Sequence, residues 1–315
     1  MKFTAELPLG VTSPVGEFQS VPAIAEMAGA LERAGIDACF VTDHPAPDAE
    51  WLASVGHDAL DPFTGLAFAA AATSRLKLHT NLVVLPYRNP FITAKAAATL
   101  DVLSDGRLIM GCGVGYLKGE YAALGVDFAA RGALMDEAIR TMKAAWGDGD
   151  VVVEGRGFTT EALRPRPRPV QQPHPPIWAG GNSDRALRRA ASLCDGWSPM
   201  FANAAMGQRA GTDAMAEVGD LKRKIERLSG LLADGGRTGP FDICIGPRTP
   251  LKACNREEAD RLVEQLAELA ELGVTWTFCG VPHPSRAEFL ENVRWFGEEV
   301  VPRVHAIASP GLTLD

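Results

Sequence analysis

The sequence of 315 residues is short of basic side chains and of long apolar runs. Its 31 Lys and Arg against 39 Asp and Glu give a formal net charge of −8, which argues against a nucleic-acid binder. No apolar run approaches the roughly 18 residues of a membrane span. The first residues, MKFTAELPLG, lack the apolar core of a signal peptide, so we expect a cytoplasmic protein with no membrane partner.

Paired cysteines are also missing. The six cysteines are scattered, and none forms the C-x-x-C pair of a zinc ribbon or a redox dithiol. Most of them stand inside apolar runs, so we expect small buried side chains in a reducing compartment. No histidine stands at ligand spacing from a second metal-binding residue, and we predict no metal site.

What the sequence does contain is an alternation of short apolar runs and longer segments of helical period. We count eight such runs, each followed by a predicted helix, although the sixth pair is weak. Strict alternation predicts a parallel sheet with helical crossovers. At this length it fits a single domain over residues 1–315, a closed (β/α)₈ TIM barrel with an insertion between strands four and five. An open doubly wound sheet is the alternative.

Two stretches depart from this alternation. Residues 147–175 contain VVVEGRGFTT, which predicts a hairpin, and RPRPRPVQQPHPP, which favours extended backbone. The stretch from Phe201 to Val218 has no clear period. We expect it to form a mobile loop over the barrel mouth, where it would influence the choice of substrate.

An acid and an imidazole follow the second apolar run, in the sequence CFVTDH. In such a barrel the loops after the carboxyl ends of the strands carry the chemistry, and Asp43 and His44 fall there. A carboxylate beside a histidine can fix the tautomer of the ring and raise its basicity, which favours an acid–base pair. The alternative is that Asp43 caps a turn before Pro45 and that His44 is an ordinary loop residue.

Glycines end strands four and five. The run GCGVG is not a dinucleotide-binding loop, because Tyr116 stands where the third glycine would be. Its glycines either clear the barrel wall for a flat ligand or ease strand packing. Strand five ends in AGGNSD, with Asn182 or Ser183 as the cap of the next helix. Gly180 and Gly181 are expected to leave bare N–H groups at that helix N-terminus, which suits a phosphate.

Two longer stretches give the chain a family resemblance. They are LPYRNPFITAKAAATLDVLSDGRLIMGCGVG and RPRPRPVQQPHPPIWAGG, and both resemble patterns of the bacterial luciferase-like superfamily of flavin and deazaflavin oxidoreductases. The resemblance implies a TIM barrel that usually forms a homodimer and binds FMN or coenzyme F420 at its mouth. It also implies a non-proline cis peptide beneath the ring, which falls here at Asn81–Leu82.

The same resemblance implies the cofactor and its contacts. F420-dependent members commonly carry Asp-His where Asp43 and His44 stand, so F420 is the expected cofactor and FMN the alternative. His44 would supply or stabilise a proton, and Asp43 would bond the deazaflavin or orient the ring. The remaining contacts implied for the cofactor are Asn81 and Leu82 beneath the ring, Gly113 and Gly115 at its edge, and Gly180, Gly181 and Asn182 at the phosphate.

Some positions depart from the family pattern. Members that oxidise sugar phosphates carry an acid where this chain has Tyr116 and an amide at Gly119, so we expect a different small-molecule substrate. The aromatic residues Trp51, Tyr87, Tyr116 and Trp197 either line an apolar substrate pocket or serve packing. The leading hypothesis is an F420-dependent oxidoreductase. An FMN-dependent monooxygenase and a catalytically silent barrel are the alternatives, and neither the substrate nor the direction of hydride transfer follows from the sequence.

Overall fold

Eight parallel strands form a nearly closed barrel in the computed structural model, which describes residues 1–10, 17–55 and 57–312. This confirms the predicted TIM-barrel fold. The barrel strands are β1 (Lys2–Glu6), β2 (Ala38–Val41), β3 (Lys77–Val84), β4 (Leu108–Gly113), β5 (Ile177–Gly180), β6 (Gly196–Ser198), β7 (Asp242–Ile243) and β8 (Trp276–Cys279). Strands β8 and β1 pair along their length, and a parallel bridge from Cys244 to Trp276 joins the remaining edges.

Helices follow the strands, and the longer ones pack around the outside of the barrel. The helices are α1 (Val21–Arg33), α2 (Ala49–Val55), α3 (Pro62–Ala72), α4 (Pro90–Leu103), α5 (Lys118–Ala123), α6 (Arg131–Trp146), α7 (Asp184–Leu193), α8 (Ala204–Ala210), α9 (Val218–Asp234), α10 (Arg256–Glu271), α11 (Arg286–Glu299) and α12 (Val301–His305). Asp61 caps α3 by accepting a hydrogen bond of 2.9 Å from the Thr64 amide, as its position before Pro62 predicts. Within the described residues, no helix combines the length and the apolar character needed to cross a membrane.

The insertion between strands four and five has the predicted form. Glu154–Gly155 and Phe158–Thr159 pair as a short antiparallel hairpin. The proline-rich run that follows has no helix or long strand, and it contains two cis X-Pro bonds, at Pro167 and Pro173. The run leads directly into β5.

Side chains along the strands alternate between two apolar cores. Those that point outward, such as Phe3, Cys39 and Met110, pack beneath the helices. Those that point inward form a small inner core of Ala38, Ile109, Trp178, Cys244 and Trp276, with Phe278 packed against it. Most of these inner residues lie near the start of their strands, so the carboxyl ends are left for a functional site.

His79 lies on this inner core. Its Nδ1 is 3.3 Å from the Thr4 hydroxyl and its ring centroid is 4.9 Å from that of Trp178. Complete burial lowers the pKa of His79 to about 3, so the ring is neutral at physiological pH. His79 is therefore a barrel-lining histidine that packs among the inner core residues.

Strand β3 contains the irregular backbone that the family resemblance predicts. Its pairing with β4 shifts register between Thr80 and Val83, which is a β-bulge. The peptide bond Asn81–Leu82 inside that bulge is cis, and the prediction of its position is confirmed.

The stretch from Phe201 to Val218 is not a loop without regular structure, so that expectation is wrong. It contains α8, and Ala202 and Met215 exchange two backbone hydrogen bonds of 2.8 Å. The Met215 side chain is fully buried. The seven residues of α8 are too few to produce a recognisable apolar period, which explains why the sequence did not reveal them. That the stretch moves stays a prediction.

Candidate active site

His44 lies at the barrel mouth, just beyond the end of β2. Aromatic rings surround its imidazole, with centroid distances of 4.3 Å to Trp51, 5.1 Å to His57 and 6.0 Å to Tyr116. The side chain is 11% exposed. Its Nδ1 atom is buried and has no hydrogen-bond partner among the residues that the structure describes. The ring is therefore held mainly by packing, with one nitrogen still available for a polar contact.

The carboxylate next to that nitrogen belongs to Glu120. Its Oε1 lies 3.5 Å from His44 Nδ1, and its Oε2 accepts a hydrogen bond of 2.8 Å from the Tyr87 hydroxyl. Glu120 is in the first turn of α5 and is only 1% exposed. Burial opposes its charge, but contacts with His44, Tyr87 and the Ala46 amide outweigh that effect and lower the pKa of Glu120. The sequence analysis missed this residue.

Asp43 faces away from His44, so the expected pairing between them is wrong. One oxygen of Asp43 accepts a hydrogen bond of 2.9 Å from the Val84 amide, and the other accepts one of 3.0 Å from Arg88. Burial raises the pKa of Asp43, while Arg88 and the Val84 amide act in the opposite direction. Successive side chains of an extended chain project to opposite sides, which explains why these neighbours do not meet. Asp43 instead anchors the end of β3, and its contact with a cofactor stays a prediction.

Leu82 forms the floor of the mouth. Its partly exposed side chain lies against Gly113 of β4 and Gly180 of β5, and its packing leaves little room for a side chain at either glycine. A Cβ atom added to Gly180 would lie 2.1 Å from Leu82 Cδ1, and one added to Gly113 would lie 3.4 Å from it. These two glycines therefore make room for Leu82 in the first place, and a ligand above them would rest on Leu82.

Gly115 serves a different purpose from Gly113. It has a positive φ of 69°, and a Cβ atom added to it would lie 2.7 Å from Val84 Cγ1 and 3.0 Å from the Tyr87 hydroxyl. A side chain here would therefore push on the two residues that support Asp43 and Glu120. Gly115 keeps the loop after β4 close to the end of β3.

The loop after β5 is more occupied than its sequence suggests. The Asn182 amide donates to the Thr212 hydroxyl at 2.7 Å, so this N–H group is already engaged within the protein. That the Gly180 and Gly181 amides bind a phosphate stays a prediction. The fully buried Asn182 side chain donates to the carbonyls of Met200 and Asp213 and accepts from the Met200 amide. Ser183 is the residue that caps α7. Asn182 thus joins this loop to the stretch that contains α8.

The four aromatic residues proposed for a substrate pocket divide into two groups. Trp51 and Tyr116 surround His44 at the mouth. Trp197 belongs to the outer core, with its indole N–H donating to the Gly181 carbonyl at 2.8 Å. Tyr87 supports Glu120. Trp51 stands on α2, a helix that the sequence analysis did not predict because it has only seven residues.

A second carboxylate enters the mouth from the end of β1, the strand next to β2. Phe3 and Ala5 pack in the outer core, so the alternation along β1 directs Glu6 into the barrel. No described residue forms a hydrogen bond with its carboxylate. Burial raises the pKa of Glu6, and the neighbouring His283 and His57 offset this only in part. The sequence analysis assigned no role to Glu6 or to these two histidines.

The described ranges contain no group of three His, Cys, Asp or Glu side chains placed to hold a metal ion. Five of the cysteines are buried and Cys254 is partly exposed, and all are free thiols. Burial raises the pKa of Cys39, Cys194 and Cys279 to about 12, so these thiols stay protonated at physiological pH. The prediction of small, buried, unpaired cysteines is confirmed for most of them.

Comparison with known proteins places this site in a family. The family model described as luciferase-like monooxygenase matches residues 1–299. The chain belongs to this family. Its members are oxidoreductases and monooxygenases, so this luciferase-like protein is an enzyme of that broad class.

One curated relative of this luciferase-like protein is named as a ketoreductase. The phthiodiolone/phenolphthiodiolone dimycocerosates ketoreductase of Mycobacterium tuberculosis is 29% identical over 266 residues, which cover 82% of this chain and 63% of the relative. The chain therefore spans less than two thirds of that relative's length.

Solved structures with a similar fold use two different cofactors. An F420-dependent secondary alcohol dehydrogenase, bound to an F420–acetone adduct, has a TM-score of 0.72 at 17% identity, with 96% of this chain and 98% of that chain covered. The oxygenating constituent of 3,6-diketocamphane monooxygenase from Pseudomonas putida, bound to FMN, has a TM-score of 0.74 at 16% identity, with 98% and 99% covered. At these identities the likeness shows the fold alone.

Proposed function

We propose that this luciferase-like protein transfers a hydride between coenzyme F420 and a small organic substrate, with His44 as the group that manages the accompanying proton. The observation that carries the proposal is the setting of His44. Its ring is partly exposed at the barrel mouth, packed against Trp51 and backed by the buried Glu120 carboxylate. A positioned histidine of this kind is the usual residue for general acid–base catalysis.

The proposed seat for a flat tricyclic ring is the apolar surface at the barrel mouth. Leu82 rises from a floor of glycines and gives an apolar surface on which such a ring can rest. Asn81, beside it, is partly exposed and has no hydrogen-bond partner among the described residues, so its amide is available to a polar ring edge. Asp43 accepts a hydrogen bond from the Val84 amide and thereby fixes the position of the end of β3, which carries Leu82.

The phosphate group of the cofactor would lie at the loop after β5. Gly180 and Gly181 are the residues that we propose to offer backbone N–H groups there. Asn182 supports them from behind, because its own amide is engaged by Thr212. Gly113 and Gly115 would contribute to the ring edge mainly through the positions that they allow Leu82 and Tyr87 to take.

Bound F420 would supply two-electron hydride chemistry. The residues of the chain would exclude water through Trp51 and Tyr116, orient the substrate against the floor, and hold or release a proton at the His44 ring. A ketone and its secondary alcohol form the substrate pair that we favour, because interconverting them moves one hydride and one proton. The names of the mycobacterial ketoreductase and of the secondary alcohol dehydrogenase support the same pair.

Paired binding titrations test the cofactor. Purified protein is titrated with F420 and, separately, with FMN, and binding is followed by the change in ligand fluorescence. We expect saturable binding of F420 that is weakened when Leu82→Arg fills the seat with a charged side chain. Tight binding of FMN with no measurable affinity for F420 would contradict the proposal, and would favour the monooxygenase function for which the family is named.

A further inference from the structure

The Glu120 carboxylate is held in place by two hydrogen bonds and lies next to the His44 ring. Its Oε2 accepts from the Tyr87 hydroxyl at 2.8 Å, and its Oε1 accepts from the Ala46 amide at 3.3 Å. The same Oε1 lies 3.5 Å from Nδ1 of His44. Both carboxylate oxygens are thus fixed by donors from two other segments of the chain, and the one nearest His44 cannot rotate away without losing a hydrogen bond.

The buried Nδ1 of His44 faces this fixed anion. If Nδ1 carries a hydrogen, the hydrogen points towards a charged acceptor, and a charge-assisted hydrogen bond can form. If Nδ1 carries a lone pair instead, two electron-rich atoms face each other in a buried site, and the Nδ1 lone pair has no donor. The first arrangement is the stable one, since no other described residue offers Nδ1 a partner.

Tyr87 favours the same arrangement. Burial and the neighbouring Glu120 carboxylate both raise the pKa of Tyr87, so its hydroxyl keeps its proton and remains a donor to Glu120. The Glu120 carboxylate, whose pKa is lowered, stays ionised and remains an acceptor. The ring of Trp51, with its centroid 4.3 Å away, limits how far the imidazole can turn.

We propose that Glu120 is a positioning residue that holds His44 in the Nδ1–H tautomer, so that Nε2 is the atom that exchanges a proton with the substrate. The identity of the reacting partner rests on the proposed function, whereas the tautomer is a property of the protein alone. Neutral histidine in water favours the opposite Nε2–H form, so the proposed state is one that the protein has to impose. A distance of 3.5 Å is long for this bond, and it would shorten when a substrate closes the mouth.

Nitrogen-15 NMR of histidine-labelled protein without cofactor tests the tautomer. In the wild-type protein at neutral pH we expect His44 to show a protonated Nδ1 and an unprotonated Nε2. In Glu120→Met, which keeps the length of the side chain but removes the acceptor, we expect the Nε2–H form. A wild-type His44 already in the Nε2–H form would overturn the proposal, as would a Glu120→Met spectrum in which the tautomer is unchanged.

Asp101→Asn is the matched control for the loss of a buried acid. Asp101 is fully buried in α4 and accepts a hydrogen bond from the Gln171 side chain. No hydrogen bond of the described residues joins it to His44 or Glu120. We expect this variant to leave the His44 signals unchanged. If they change in Asp101→Asn as well, the effect of Glu120→Met on the tautomer would come from a general loosening of the fold. Failure of F420 to bind would leave the NMR result intact, so the two proposals fail separately.

Turnover gives a second readout. A misoriented imidazole should lower kcat in Glu120→Met by roughly a hundredfold, the scale of acid–base assistance, while KM and the cofactor Kd stay within about twofold. A structural role alone would instead raise KM and the cofactor Kd together. Equal changes in all three constants would therefore contradict a positioning role.

Discussion

Two buried carboxylates at the barrel mouth have pKa values shifted in opposite directions. On the side of β2 and β4, Glu120 has a donor at each oxygen, and its pKa is lowered. On the side of β1 and β8, Glu6 has no hydrogen-bond partner among the described residues, and burial raises its pKa. The first carboxylate is held as an anion that orients a neighbour, while the second is inclined to take up a proton. Proximity to the mouth alone therefore does not tell what an acid does there.

Replacing each acid with its amide gives the largest expected difference between the two sides. Glu120→Gln should lower the free energy of unfolding at pH 7 by about 2 kcal/mol, because the Tyr87 hydroxyl and the Ala46 amide lose an ionised acceptor. Glu6→Gln should increase it, because the ionised form of a group whose pKa is raised on folding is destabilising above its unfolded pKa. Urea unfolding of both variants at pH 7 measures this, and changes of the same sign would contradict the comparison.

A smaller effect on the free energy of unfolding is expected from His79, the neutral histidine of the inner core. The unfolded chain protonates His79 near its ordinary pKa of 6.5, whereas the folded chain does so only at about 3. The unfolded state therefore binds more protons between these values, and the free energy of unfolding should fall with acidification by up to about 1.4 kcal/mol per pH unit. His79→Gln should flatten the slope between pH 6.5 and 5, measured by urea unfolding. An unchanged slope would mean that His79 is accessible to protons in the folded state.

The strands and the helix ends could be predicted because their signals are local. Asp61 before Pro62 starts α3, Asn89 before Pro90 starts α4, and each acts within one turn of the helix it begins. The apolar runs predicted all eight barrel strands in the right order. The cis peptide at Asn81–Leu82 was predicted from the family resemblance, since no local pattern announces it.

The contacts of the site could not be predicted in the same way. Asp43 and His44 are adjacent in sequence, but adjacent side chains of an extended chain point apart, and Glu120 reaches His44 from 76 residues away. The glycines of β4 and β5 suggested space for a ligand, yet the Leu82 side chain, which projects from within the β3 bulge, occupies part of that space. An available signal was an acid in the first turn of the helix after strand four, since all such loops meet at the mouth.

The measurement that tests the central claim most directly is single-turnover mixing of the protein with F420 and a series of ketones or secondary alcohols in the absence of oxygen. The account predicts a change in deazaflavin absorbance without oxygen. It predicts a rate roughly a hundredfold lower in His44→Asn. The control is His174→Asn, because His174 bonds to Pro175 at the opposite end of β5 and should react like the wild type. A rate in His44→Asn within twofold of the wild type, or turnover only with reduced FMN and oxygen, would contradict it.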